Sequence, residues 1–216
     1  MFLRMPCFIR LLSVVSIGFT ACVALASASR AAPADEAAGV TVTGDAALDP
    51  PPDTWNGCRL QPRARCPGAD LRHAPLKNLD LTGADLRGAQ LARADLRHAN
   101  LQGADLSGAN LDGANLQLAF LQGAKLDAAR MRGALLDFAR LGGASLRAAD
   151  LTAASLEMAR ADKADFTGAN LTDASLQEAK MSQTVLRDAR LDGALIRYAI
   201  FQDADMHACS ACPMDW

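Results

Sequence analysis

The residues with the widest chemical reach beyond position 30 are four cysteines and three histidines. Cys58 and Cys66 lie eight apart, and Cys209 and Cys212 form a Cys-x-x-Cys near the end of the chain. A Cys-x-x-Cys can exchange a dithiol for a disulfide, but that chemistry needs a low-pKa thiol at a thioredoxin-like helix start. No helical pattern surrounds position 209. Four converging cysteines can also hold tetrahedral zinc, whereas an even count in an exported chain points to disulfides. His73, His98 and His207 are far apart in sequence and read as solvated surface residues. No glycine-rich loop leads into a helix, so no nucleotide fingerprint is present. No catalytic, cofactor-binding or metal-ligating residue is assigned, and no cofactor is expected. Whether any of these groups meet depends on the elements that carry them.

Those elements are set by a repeat, the first feature to seek in any chain. From Ala69 the sequence runs GADLR, HAPLK, NLDLT, GADLR, with a period of five. Residues 69–208 hold 28 units of the form Ala-x-Leu-x-x. The first position departs from Ala only at Leu79 and Thr184. The central position departs from Leu at Met131, Ala161, Phe166, Met181, Ile196, Phe201 and Met206. An imperfect unit, Ala64 to Gly68, precedes them. Period five matches neither the 3.6 spacing of a helix nor the alternation of a plain strand, and disordered tracts do not hold a strict apolar register. The composition agrees: 50% of residues are hydrophobic but only 5% aromatic, so the core is built from small repeated units.

The unit resembles the A-(D/N)-L-x-x pattern of the pentapeptide-repeat family over about 140 of the 216 residues. The resemblance implies an all-β fold, a right-handed quadrilateral β-helix with four units per turn and about seven coils. Ala and the central residue then point inward and the other three face solvent. At the ~4.8 Å spacing of paired strands the rod is about 34 Å long. Its length keeps the two cysteine pairs apart, which rules out one four-cysteine zinc site. The expected disulfides are Cys58–Cys66 and Cys209–Cys212. Ala161 and Phe166 are consecutive central residues, a small one beside an oversized one, as volume conservation in a core requires.

Flanking the repeat are segments of other character. Residues 1–28 read as a signal peptide: Arg4 and Arg10, an apolar run from Leu11 to Leu25, then small residues, with cleavage after Ala26 or Ala28. The apolar run is shorter than the ~20 residues of a membrane span. A lipid anchor at Cys22 is the alternative, from the lipobox-like Phe19–Cys22. Residues 29–57 form an Ala/Pro-rich linker, 58–68 an N-terminal cap with cysteines, and 209–216 a short C-terminal cap, with either Met214 and Trp216 covering the last turn or end-to-end dimerisation hiding it. The expected location is periplasmic or secreted.

Sorting outward residues by steps of twenty shows mixed charge on the rod, with 18 acids and 16 bases in residues 69–208. Some members of the family mimic DNA and block topoisomerases. That role needs a long acidic surface, and here Lys125 interrupts one acidic column while Arg140, Arg160 and Lys180 form a basic one. The near-neutral charge also argues against nucleic acid as a partner. One column is apolar: Asn78, His98, Leu118, Phe138, Met158, Glu178, Tyr198. With Phe120 and Leu135, expected at flanking corners, Leu118, Phe138 and Met158 make the candidate partner-binding site, for an unidentified protein or for self-association. A surface stacking ladder, or a patch covered by the linker around Trp55, is the other reading of the same column. The functional expectation is a non-catalytic exported scaffold or protein-binding solenoid of the cell envelope. A thiol/disulfide redox factor using Cys209 and Cys212 is the alternative, and DNA mimicry comes third.

Overall fold

A computed structural model describes residues 54–213. The signal segment, Cys22, the linker up to Asp53, Met214 and Trp216 lie outside the described residues.

The chain enters through a short antiparallel hairpin, β1 (Thr54–Trp55) and β2 (Cys58–Arg59). Its two turn residues, Asn56 and Gly57, both have positive φ, as the two-residue turn that suits strand twist demands. The hairpin thus takes in Thr54 to Gly57, which the sequence reading assigned to the linker. Asn56 Nδ2 donates to the Asp70 carbonyl at 2.8 Å, tying the hairpin to the first coil. Trp55 packs against the core.

Beyond it the chain is a ladder of parallel bridges, each linking residue i to i+20, from Arg65↔Asp85 to Arg190↔Ser210. Twenty residues therefore make one coil, and the fold is the right-handed quadrilateral β-helix. The five positions of a unit have distinct tasks. The first and third point inward: Leu71 to Leu191 and Ala74 to Ala189 are almost wholly buried. Met131, Ala161, Phe166, Met181 and Phe201 are buried in the same ladder. Thr184, the one buried polar side chain among the described residues, donates its hydroxyl to the Met181 carbonyl at 2.8 Å, so its placement at an Ala position leaves no unmet donor.

The second position is the bridge residue, in the middle of a flat side. The fourth and fifth positions form the corner, closed by a bond from the next Ala N–H to the Leu carbonyl, as in Ala74 N to Leu71 O. The fifth residue has φ near +60° in every unit from His73 to Ala208, as a type II turn requires.

This division also explains the Asp or Asn of the repeat. Backbone N–H groups at positions one, two, three and five donate along or within the coils, but the fourth finds no carbonyl. A carboxylate or amide oxygen at position two accepts it, as in Thr82 N to Asp80 Oδ1 at 3.0 Å and Ser107 N to Asp105 Oδ1 at 3.1 Å. Asp at this second position also recruits arginines: Asp70 with Arg72, Asp85 with Arg87 and Asp95 with Arg97. Both disulfides join neighbouring backbone, with Cα–Cα distances of 5.6 Å for Cys58–Cys66 and 5.7 Å for Cys209–Cys212.

Candidate contact surface

Four corners run the length of the rod, and their fifth-position residues share one backbone conformation. Three of them use glycine repeatedly: Gly83, Gly103, Gly123 and Gly143 on one, Gly88, Gly108 and Gly168 on the next, Gly113, Gly133 and Gly193 on the third. The fourth uses none. It carries Asn78, His98, Leu118, Phe138, Met158, Glu178 and Tyr198. A side chain at positive φ costs roughly 1 kcal/mol or more relative to glycine. Burial does not offset it here, because Leu118, Phe138 and Met158 are 44%, 51% and 42% exposed.

The flanking apolar residues sit differently from the sequence expectation. Phe120 and Leu135 are not at corners. They are bridge residues, Leu135 between Asn115 and Ser155 on the side before this corner and Phe120 between Asn100 and Arg140 on the side after it. The reason is the turn: position four and five bend the chain, and position two is left to pair between coils. Arg140 and Arg160 are likewise bridge residues. Leu135, Phe120, Arg140 and Arg160 at position two offer no oxygen to the fourth N–H, so the middle coils of this surface lack that cap, while Asp80, Asp95, Asn100 and Asn115 in the same two columns keep theirs.

Two residues escaped the sequence reading. Leu195 and Ile200 are exposed bridge residues, in the columns of Leu135 and Phe120. The signal was present: both put an aliphatic side chain where the repeat prefers Asp or Asn. Together with Leu118, Leu135, Phe138, Met158 and Tyr198 they are the exposed large hydrophobic residues among those described, and all seven lie on this corner or its two flanking columns. Trp55 does not cover the strip. It is held in the N-terminal hairpin opposite Cys58.

Many arginines of the rod pair with carboxylates, and the hydrogen bond from Arg87 holds the Asp85 carboxyl below its ordinary range. Beside the apolar corner, Arg140 lies over the Phe120 ring at 4.9 Å, a cation–π contact. Arg160 and Lys180, the next two residues of that column, have no ion-pair partner among the described residues. Gly142, at a fourth position, leaves a shallow dent bordered by Gln122, Arg140, Arg160 and Asp162. Asp137 on the corner accepts from Gln117 Nε2 at 2.8 Å and from the Ser155 hydroxyl.

No catalytic constellation assembles among the described residues. His73 and His98 stand on different corners, and His207 on a third. No group of His, Cys, Asp or Glu is placed to hold a metal ion, and the four cysteines are consumed in disulfides at the two ends. No helix among the described residues is long and apolar enough to cross a membrane.

The geometry defines a solenoid whose only specialised surface among the described residues is lateral. Its sequence matches the model for pentapeptide repeats in eight copies, at residues 62–88, 89–127, 129–168, 149–188 and 169–207. The chain belongs to the pentapeptide-repeat family. Among solved structures it is similar to HetL, a pentapeptide-repeat protein involved in heterocyst differentiation regulation from the cyanobacterium Nostoc sp. strain PCC 7120. That match has 36% identity and a TM-score of 0.41, and covers 68% of this chain and 70% of HetL. It is also similar to QnrB1, a plasmid-mediated fluoroquinolone resistance protein, with 18% identity and a TM-score of 0.56 over 70% of this chain and 76% of that one. The second likeness shows the fold alone. A search of curated proteins returned no match.

Proposed function

We propose that this protein is a non-catalytic, exported solenoid that works by binding protein through the corner of Leu118, Phe138 and Met158. One observation carries the reading. At a position where three corners repeatedly choose glycine, the fourth installs large apolar side chains in left-handed backbone and leaves them in water. Contiguous exposed apolar patches on soluble proteins mark contact sites. Phe120, Leu135, Leu195 and Ile200 extend the surface onto the flanking sides. Export is supported by Arg4, Arg10 and the Leu11–Leu25 run, and by two disulfides, which persist in oxidising compartments.

The test uses Phe138→Ser. The side chain is outside the core, so the variant keeps its circular dichroism and melts within about 1 kcal/mol of the parent. Cross-linking in an envelope fraction recovers the adducts formed by the parent and loses them with the variant. A variant that unfolds makes the column structural; one that folds and keeps every adduct moves the site elsewhere.

A further inference from the structure

We propose that the occupant of this corner is a second copy of the chain, laid antiparallel along it, with the two-fold axis between the coils of Leu118 and Phe138. The inference rests on the reading of this corner as a contact surface, and it adds the partner and its register.

A two-fold axis perpendicular to the rod sets each column against itself in reverse order, as an isologous interface requires. In this register Leu118 meets the second copy's Phe138, His98 meets Met158 and Asn78 meets Glu178, each pair occurring twice. The fourth-position residues of the corner run Lys77, Arg97, Gln117, Asp137, Glu157, Gln177. Reversed, they set Arg97 against Glu157 and Gln117 against Asp137. The bridge column after the corner runs Asp80, Asn100, Phe120, Arg140, Arg160, Lys180. Reversed, it sets Asp80 against Lys180, Asn100 against Arg160, and the Phe120 ring against a second Arg140. Lys180 and Arg160, which lack ion-pair partners among the described residues, thus find acceptors in the other copy. On the column before the corner, Leu135 meets Asn115, and Asp95 meets Ser155.

The neighbouring registers fail on charge or overlap. Centring the axis on Phe138 opposes Asp137 to Asp137, Arg140 to Arg140 and Lys77 to Arg197. Moving it a further half coil opposes Asp137 to Glu157, Arg140 to Arg160 and Arg97 to Arg197. Like charges facing across an interface are strongly unfavourable. Centring on Leu118 also matches charge, Arg97 to Asp137, Lys77 to Glu157 and Asp80 to Arg160, but it sets Met158 against Asn78 and leaves the last two coils beyond the other copy's repeats, so the two registers are separated by overlap and by the charge swap below. The chosen register engages six coils, about 29 Å at ~4.8 Å per coil. A stable interface of ~800 Å² per partner over that length needs the corner and both flanking sides.

The experiment is sedimentation equilibrium of the exported chain across concentration, with Asp80→Lys, Lys180→Asp, the double swap and Phe138→Ser. All three positions are exposed, and circular dichroism confirms that each variant folds. The parent is expected to dimerise. Each single swap should weaken the dimer on the order of tenfold, since it creates two like-charge contacts; the double swap should restore it to within about threefold; and Phe138→Ser should abolish it. A monomeric parent overturns the proposal, as does a dimer indifferent to these changes or one that the double swap fails to recover. Rescue of Asp80→Lys by Arg160→Asp instead overturns the register. If the parent is monomeric yet loses its envelope adducts with Phe138→Ser, this inference fails while the contact-surface reading stands. If neither adducts nor mass responds, both fail.

Discussion

The corner of Gly83, Gly103, Gly123 and Gly143 and the corner of His98, Leu118, Phe138 and Met158 are the same backbone with different side chains. The φ angles are 62° to 66° on the first and 54° to 60° on the second. Each closes by the same bond from Ala N–H to Leu carbonyl, as Ala124 N to Leu121 O and Ala139 N to Leu136 O show. The ladder of buried Leu and Ala dictates the path of the chain, and it dictates it equally at both corners. What stands at the fifth position is then free to answer another demand. On the glycine corner the residue answers the turn. On the apolar corner it resists the turn, and the proposed contact is the demand that would select it.

The comparison holds only if the core, not the corner, fixes the path, and the largest expected effect tests that. Leu126 is fully buried at a central position, and Gln122 is outward in the preceding unit. Leu126→Asp buries a carboxylate without a partner and should cost more than about 4 kcal/mol, enough to unfold the coil at ordinary temperature. Gln122→Asp should shift stability by less than about 0.5 kcal/mol. Chemical denaturation of the two side by side reads the difference, and equal midpoints would break the division of inward and outward positions on which both corners rest.

A smaller effect sharpens the contrast itself. At Gly123 an added Cβ would meet nothing within 4 Å, yet φ is +65°. Gly123→Ala should therefore cost about 1 kcal/mol through backbone alone. At Phe138 the opposite change, Phe138→Gly, should relieve strain of the same order and leave stability unchanged or raised, because half of the ring is already in water. Gly142 is the control: its φ is not positive and its Cβ would lie at ordinary contact distance, 3.7 Å from the Asp162 carbonyl oxygen, so Gly142→Ala should be neutral or mildly stabilising. A Phe138→Gly variant that loses several kcal/mol would mean the apolar ladder supports its own fold.

Much of this was legible before any coordinates. A period of five with two nearly constant apolar positions excludes helix and plain strand, and the resemblance to the pentapeptide repeat implies the coil. The cysteine pairs followed from their places at opposite ends of that coil. The three outward positions were harder. Outwardness alone does not say which of them turns and which pairs, so Phe120 and Leu135 were expected at corners although they bridge coils. The missing step was an unpaired N–H at position four, which makes Asp or Asn at position two a cap and hence a strand residue. With that step Leu195 and Ile200 stand out as lost caps.

The smallest expected effect separates the capped units from the uncapped ones by pH. Asp70, at a second position, is held down to about 2 from an ordinary 3.8, first by the side-chain hydrogen bond from Arg72 and then by the Arg72 backbone N–H, with burial pulling weakly the other way. The lowered value means the folded state binds this proton less readily than the unfolded chain does. Its contribution is therefore present in full above about pH 4 and is lost as the pH falls toward about 2. Asp80, Asp85 and Asp95 are lowered by the same arrangement, led by side-chain hydrogen bonds from Thr82, Arg87 and Arg97. Melting temperature should thus decline over that acid window in the parent, and the gap between the parent and Asp70→Asn, present at neutral pH, should close within it. The gap should be small and should shrink with added salt, because the pair is exposed and screened. Leu135 offers the comparison: Leu135→Asp restores the missing acceptor for the Asp137 N–H and should add a pH-dependent increment of the same sign. A gap that widens on acidification would show that the carboxylate at position two is not a cap, and the account of why the apolar corner gives up such caps would go with it.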